Sequence, residues 1–131
     1  DTETLSWPRA EASDPDGTFT FLYVGRLSPV KCPGLLVRAL AYILHSGASG
    51  LSAVELDDFR RRGRVKFVGG GLLEDGLRQL ARRLQLDMVS FTGAVGAEEV
   101  VGAMRSADVL VNPIVRGETF GFVHIEAAAH A

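Results

Sequence analysis

Four short stretches of the chain are rich in β-branched, aromatic and aliphatic residues, as buried strands are. They cover residues 18–24, 64–68, 88–91 and 107–112. Each is followed closely by a residue that interrupts regular structure, namely Gly25, Gly69, Gly93 and Pro113. The pattern therefore predicts four short, separate strands.

Between these strands, apolar residues recur at the spacing of an amphipathic helix. Longer helices are predicted at 35–45 and 72–84, and shorter ones at 53–61 and 98–104. The end of the chain, from residue 120 to 131, also has a helical composition. Helices and strands therefore alternate along most of the sequence.

This alternation is the pattern of βαβ units, whose strands are parallel and whose crossovers are right-handed. We predict an α/β fold: a Rossmann-like parallel sheet with helices on both faces and strand order 3-2-1-4. In such a sheet the ligand crevice opens at the carboxyl ends of the strands, where the strand order reverses. That point lies between the first and fourth strands, so loops 25–34 and 113–121 should face each other there.

The composition fits a globular domain and excludes several functions. A net charge of -2 gives no basic surface of the kind that nucleic acids require. The single cysteine, Cys32, offers no metal-ligand spacing, and no metal site is expected. No apolar run is long enough to span a bilayer, and a cytoplasmic location is the expectation. The basic cluster at 60–64 is interpreted as a solvated helix end, with a partner contact as the alternative.

Two cations lie in the first of the two loops, on a turn shaped by glycine and proline. Arg26 offers a planar fork to phosphate oxygens, and Lys31 offers a mobile point charge. Two cations at the mouth of a crevice suit an anion with more than one charge, such as a diphosphate. The alternative is that both are solvated surface charges.

The second loop carries carboxylates and leads into the last predicted helix. If that helix begins near Phe120, its first amides are unpaired and can receive a phosphate or sugar oxygen. Gly121 would let a ligand approach the backbone. Glu126, about a turn and a half into the helix, could reach back to the crevice, and Glu118 precedes the helix. The alternative is a helix-stabilising acid and an exposed glutamate.

Taken together, the two loops suit a nucleotide-sugar. Cations can bind its diphosphate, while carboxylates can accept hydrogen bonds from the hydroxyls of its ribose and sugar. The glycine fingerprint of dinucleotide-binding proteins is absent, because the glycines at 69–71 do not have its spacing, and no Walker phosphate loop is present. An NAD-dependent oxidoreductase and a nucleoside triphosphate enzyme are therefore disfavoured.

Four stretches, at 24–31, 65–71, 89–95 and 118–126, carry a family pattern. The first is similar to a Gly-Arg-Leu-x-x-x-Lys loop, and the last to a Glu-x7-Glu motif with an internal Phe-Gly. With these stretches in order, the chain resembles the C-terminal, donor-nucleotide-binding domain of the retaining GT-B glycosyltransferases of family 4, the glycosyl transferases group 1.

This resemblance implies a role for each candidate residue. Arg26 and Lys31 would bind the donor diphosphate, and Glu126 the ribose hydroxyls. Backbone at 93–95, comprising Gly93, Ala94 and Val95, would lie near the nucleobase.

By the same resemblance, Glu118 would position the transferred sugar, together with the backbone of Phe120 and Gly121. The transfer would retain the anomeric configuration and would need no metal or other cofactor. Electrostatic stabilisation of the leaving diphosphate would take the place of a metal.

We therefore expect a linker at 1–17 and a partial donor-binding domain at 18–131. The expected function is binding of a UDP- or GDP-sugar, for transfer of a hexosyl group to an acceptor held by an N-terminal domain that this chain lacks. The chain begins without Met, and we expect it to be an inactive fragment by itself. Val30 and Cys32 replace a common Glu and Gly of the family, which favours the alternative, a non-catalytic Rossmann-like interaction module.

Overall fold

The structure, a computed structural model, describes residues 17–113. Its elements are β1 (Phe19–Val24), α1 (Pro33–His45), α2 (Ala53–Arg62), β2 (Gly63–Val68), α3 (Glu74–Arg83), β3 (Val89–Phe91), α4 (Ala97–Ser106) and β4 (Val109–Leu110). A 3-10 helix, Pro29–Lys31, lies between β1 and α1. The predicted linker, apart from Gly17, and the predicted helix at 120–131 lie outside the described residues.

The four strands form one parallel sheet in the order β3-β2-β1-β4, which confirms the predicted topology. Pairing of β4 with β1 extends beyond the two residues of the strand itself. The Asp108 amide donates to the Thr20 carbonyl at 2.9 Å, and the Val111 amide donates to the Leu22 carbonyl at 2.8 Å. The sheet therefore uses most of the segment that the sequence predicts as the fourth strand.

Alternate side chains of the strands pack on opposite faces of the sheet, as strand geometry requires. Tyr23, Val65 and Phe67 share a buried core with helices α1 and α3, against which α2 also packs. Leu22 and Val68 point the other way and form a smaller core with α4. Helices on both faces are thus confirmed, and the change of face falls between β3 and β4.

Helix α1 begins at Pro33, two residues before the predicted start, and a 3-10 helix occupies part of the predicted loop at 25–34. The reason is that Pro29 and Pro33 fix φ near its helical value, and proline is tolerated in the first turn of a helix. Cys32, between the two helices, adopts left-handed backbone angles of φ 54 and ψ 42. Glycine adopts this conformation freely, whereas any other residue loses roughly 1–2 kcal/mol.

Arg60, Arg61 and Arg62 form the end of α2, as predicted, whereas Arg64 lies in β2. Two of them form exposed ion pairs within the helix, with Arg61 bound to Asp57 at 3.0 Å and Arg62 to Asp58 at 3.2 Å. Such exposed pairs contribute only about 0.3–0.5 kcal/mol. Arg60 instead donates to the Leu44 carbonyl at 2.6 Å and so ties α2 to the end of α1.

A buried carboxylate joins β4 to β1 at the amino end of the sheet, and its removal should destabilise the fold. Asp108 is 8% exposed and accepts a hydrogen bond from the Thr20 amide at 2.8 Å. Asp108→Ala should lower the free energy of unfolding by about 1.5–3 kcal/mol, the usual value for a hydrogen bond to a charged group. Urea denaturation measures this change. Asp87→Ala is the control, because Asp87 is exposed and bonds to no other described residue; equal stability of the two variants would contradict the assignment.

Candidate functional site

Three loops meet at the carboxyl edge of the sheet, following β1, β2 and β3. The first two are joined by backbone hydrogen bonds. The Leu27 amide donates to the Gly70 carbonyl at 3.0 Å, and the Leu73 amide donates to the Leu27 carbonyl at 2.9 Å. The Gly25 amide continues the strand ladder to the Val68 carbonyl, also at 3.0 Å. The backbone at 25–27 is therefore held against the glycine run at 69–71 along its whole length.

This close approach requires glycine at two positions of the run. A Cβ atom on Gly69 would collide with the Gly25 carbonyl oxygen, and one on Gly71 would lie 2.7 Å from the Leu27 carbonyl oxygen. Both glycines also have positive φ, of 134° and 157°, which side chains rarely permit. The three glycines at 69–71 thus allow two loops to lie in backbone contact.

A buried tyrosine supports the first loop from below. The Tyr23 hydroxyl donates to the Arg26 carbonyl at 2.6 Å, and the residue is 3% exposed. Burial raises the pKa of Tyr23 to about 12, with a smaller contribution from the neighbouring Cys32 side chain. The hydroxyl therefore keeps its proton across the neutral range and can act as a permanent donor.

The third loop, at 92–96, is held from the side of α3. Arg78 forms an ion pair with Glu74 at 2.8 Å and donates to the Phe91 carbonyl at 3.1 Å. Its guanidinium also lies 5.3 Å from the centroid of the Phe91 ring. On the other side, the hydroxyl of Thr92 accepts from the Gly69 amide at 3.3 Å. The loops after β2 and β3 are therefore linked to each other.

A cavity of about 310 Å³ opens among these loops. Its apolar lining consists mainly of Val24, Val68, Val95 and Val100. Backbone-rich positions complete it, at Gly25, Gly69, Gly70 and Ala94. Arg26 is the single charged residue among the described residues that line it. Its side chain is exposed and makes no hydrogen bond or ion pair with another residue of the 17–113 range.

Two other cavities lie away from these three loops, and some of their charged groups are already paired. One, of about 270 Å³, lies between β1 and α2, and its Glu55 and Asp58 bond to Ser52 and Arg62. The other, of about 400 Å³, follows the outer side of β3, where Arg78 is paired with Glu74. The crevice with Arg26 lies among the loops at the carboxyl ends of the strands, where open α/β sheets bind ligands, and is therefore the better candidate for ligand chemistry.

Three of the residues predicted for the site, Arg26, Ala94 and Val95, line this one cavity. Gly93 precedes them in the third loop with a φ of 74°. Lys31 ends the 3-10 helix, is partly exposed, and is not among the residues that line the cavity. The predicted second loop, with Glu118, Phe120, Gly121 and Glu126, lies outside the described residues.

Sequence reasoning missed two supporting features, Tyr23 and the Glu74–Arg78 pair. The Glu–Arg spacing of four residues on a predicted helix was a usable signal for the pair. Tyr23 left no comparable signal, because its partner is a backbone carbonyl. A tyrosine at the end of a buried strand has the same sequence pattern whether or not its hydroxyl supports a loop.

Residues 17–113 contain neither a cluster of metal ligands nor a helix that could span a membrane. No three His, Cys, Asp or Glu side chains come together there as metal ligands would. Over the same range, every helix is too short or too polar to cross a bilayer.

The described residues thus define a doubly wound α/β domain with a glycine-lined crevice at the carboxyl edge of its sheet. The family model for Glycosyl transferases group 1 matches residues 8–131. A D-inositol 3-phosphate glycosyltransferase of Streptomyces coelicolor is 39% identical over 127 residues, which cover 92% of this chain and 26% of that protein. The chain belongs to the glycosyl transferases group 1 family, and it spans about a quarter of the length of this relative.

Solved structures show the same fold. HepE of Anabaena, crystallised with UDP and glucose, superimposes with a TM-score of 0.63 at 25% identity, over 86% of this chain and 28% of that one. WaaG, a glycosyltransferase involved in lipopolysaccharide biosynthesis, gives a TM-score of 0.65 at 24% identity, over 88% and 27%. The chain therefore has the Rossmann-like architecture of GT-B glycosyltransferases.

The backbone contact between the first two loops makes Gly69 the most sensitive glycine of the site. Gly69→Ala should destabilise the fold by about 2–5 kcal/mol, because the new Cβ meets a carbonyl and the φ angle becomes strained. Gly76→Ala is the control, since Gly76 lies in α3 and a Cβ there meets nothing within 4 Å. The control should be more stable than wild type by roughly 0.5–1 kcal/mol. Urea denaturation of both variants tests this, and a Gly69→Ala variant as stable as the control would refute the backbone contact.

Proposed function

We propose that the chain is the C-terminal, donor-binding part of a retaining hexosyltransferase of glycosyltransferase family 4. In this proposal the crevice at the carboxyl edge of the sheet binds a UDP- or GDP-sugar. The observation that carries it is the placement of Arg26, an exposed and unengaged cation, on a glycine-lined crevice at the carboxyl ends of the strands. Ligands of open α/β sheets bind at that point.

The proposed partner of Arg26 is the diphosphate of the donor. A guanidinium can form two parallel hydrogen bonds to phosphate oxygens, and these are among the stronger hydrogen bonds in proteins. Lys31 is proposed as the second cation on the basis of the family motif, at the end of the 3-10 helix that follows the same loop. During transfer, negative charge accumulates on the leaving diphosphate. Fixed cations stabilise that charge, and no metal is required in this account.

The rest of the donor is assigned by chemistry and by the family motif. The valines and the backbone at 93–95 offer a largely apolar surface, which suits the flat face of a nucleobase. We assign the ribose hydroxyls to Glu126 and the transferred sugar to Glu118, with the backbone of Phe120 and Gly121. These assignments rest on the family motif, since all four residues lie outside the described range.

The acceptor belongs to the part of the protein that this chain does not contain. The chain covers 26% of the length of its Streptomyces relative, and the domain at 18–131 is proposed as donor-binding only. Transfer would then need an acceptor-binding domain opposite the crevice. The chain by itself is expected to bind a nucleoside diphosphate without transferring sugar.

A second candidate function, an interaction module without catalysis, is favoured by one observation in the same loop. Val30 stands where the family commonly has a glutamate, and its side chain is 64% exposed. Unlike glutamate, a valine at this position can offer neither a charge nor a side-chain hydrogen bond to a polar ligand.

Calorimetric titration with UDP and GDP separates the two candidates. Arg26→Ala should weaken binding about ten- to a hundred-fold, because hydrogen bonds to charged groups contribute about 1.5–3 kcal/mol each. Glu126→Ala should also weaken it if that carboxylate binds ribose. Arg105→Ala is the matched control: Arg105 is equally exposed, lies in the last turn of α4, and should leave binding unchanged.

Three outcomes are decisive. Equal affinities of wild type, Arg26→Ala and Glu126→Ala would remove the site assignment. Weakening by Arg105→Ala as strong as by Arg26→Ala would indicate nonspecific charge attraction. If neither this chain nor a longer protein that includes the acceptor domain binds a nucleotide, the interaction module would be favoured.

A further inference from the structure

The peptide group that follows Arg26 is held at both of its polar atoms. Its N–H, on Leu27, donates to the Gly70 carbonyl at 3.0 Å. Its C=O, on Arg26, accepts from the Tyr23 hydroxyl at 2.6 Å. A peptide group is planar, so fixing both atoms fixes its orientation and with it one backbone angle of Arg26. On the other side of Arg26 stands Gly25, at a φ of 150° that favours glycine.

We propose that Tyr23 is a positioning residue for the donor diphosphate, which it serves by holding the Arg26 peptide so that the guanidinium stays at the crevice. The inference rests on the proposed function, because it assumes that Arg26 binds the diphosphate. Tyr23 lies beneath the loop and lines no part of the cavity, so it acts through Arg26 and not on the ligand itself.

The Tyr23 ring is well placed to hold its hydroxyl still. Its centroid lies 5.3 Å from that of Phe67, which in turn stacks on Phe91 at 4.9 Å. The strand register pairs Tyr23 with Phe67 and Phe67 with Phe91, so the three rings form a row across β1, β2 and β3. Phe67 is fully buried and Tyr23 nearly so. Packing therefore keeps the ring in place even without the hydroxyl, which makes Tyr23→Phe a substitution that removes mainly one hydrogen bond.

An ordinary buried tyrosine would also satisfy its hydroxyl on a nearby carbonyl, so the test must separate stability from ligand geometry. The chain has two tyrosines. Tyr42 is exposed on α1 and donates to the Ala48 carbonyl at 3.4 Å, which makes Tyr42→Phe a matched control. The ligands are whichever of UDP and GDP binds more tightly and the corresponding nucleoside, which has the same base and ribose but no phosphate.

Tyr23→Phe should weaken binding of the diphosphate about three- to ten-fold, which is the effect of losing one neutral hydrogen bond. Affinity for the nucleoside should stay the same, and Tyr42→Phe should change neither. In the double variant with Arg26→Ala, the second substitution should add nothing, because both act through one side chain. Equal weakening of diphosphate and nucleoside would overturn the proposal, since it would show a general loss of the crevice. Additive losses in the double variant would overturn it as well.

A second measurement uses the unaltered chain and so does not depend on the folding of a variant. With tyrosine labelled in ¹³C, NMR follows the exchange of the Tyr23 hydroxyl proton with water, and Tyr42 serves as the internal reference. Saturating diphosphate should slow this exchange several-fold, and the nucleoside should not. Unchanged exchange would contradict the proposal.

The binding data also separate this inference from the proposed function. If Arg26→Ala binds the diphosphate like wild type, the proposed function fails. If Arg26→Ala weakens binding and Tyr23→Phe does not, this inference alone fails.

Discussion

The backbone contact between the loop at 25–27 and the glycine run at 69–71 determines the shape of the candidate site. Two peptide chains can lie this close only where no Cβ intervenes, and Gly69 and Gly71 each provide that space. The contact holds the ends of β1 and β2 together, and residues of both segments line the crevice. It also places Arg26, between two bonded neighbours, at the edge of the cavity with its side chain exposed.

The charged residues at the two ends of the sheet have different roles. At the amino end, Asp108 is buried and bonded to a backbone amide, so its charge serves the fold. At the carboxyl end, the described cation of the crevice is exposed and unengaged. Under the proposed function this difference matters, because a diphosphate needs cations that the fold does not already use.

The fold was readable from the sequence because it depends on residue type and spacing. Strand-like runs separated by amphipathic helices predict a parallel sheet, and a doubly wound topology then gives the order 3-2-1-4, which the structure has. Arg26 could be found because loop position and charge are both visible in the sequence. Tyr23 could not, because its role depends on a bond to a backbone carbonyl. The start of α1 was missed because the sequence prediction places Pro33 in the loop, although proline fits the first turn of a helix. The carboxylates at 118 and 126 stay predictions, resting on the family motif.

The central claim is that one nucleoside diphosphate occupies the crevice between these loops. The most direct test is a titration of the ¹⁵N-labelled chain with UDP and GDP, followed by amide chemical shifts. The account predicts that the largest changes fall on Gly25, Gly69, Gly70 and Ala94, which line the cavity. Amides at the amino end of the sheet, such as those of Gly63 and Asp108, should not move. Shifts concentrated at that amino end, or spread evenly over the surface, would contradict it.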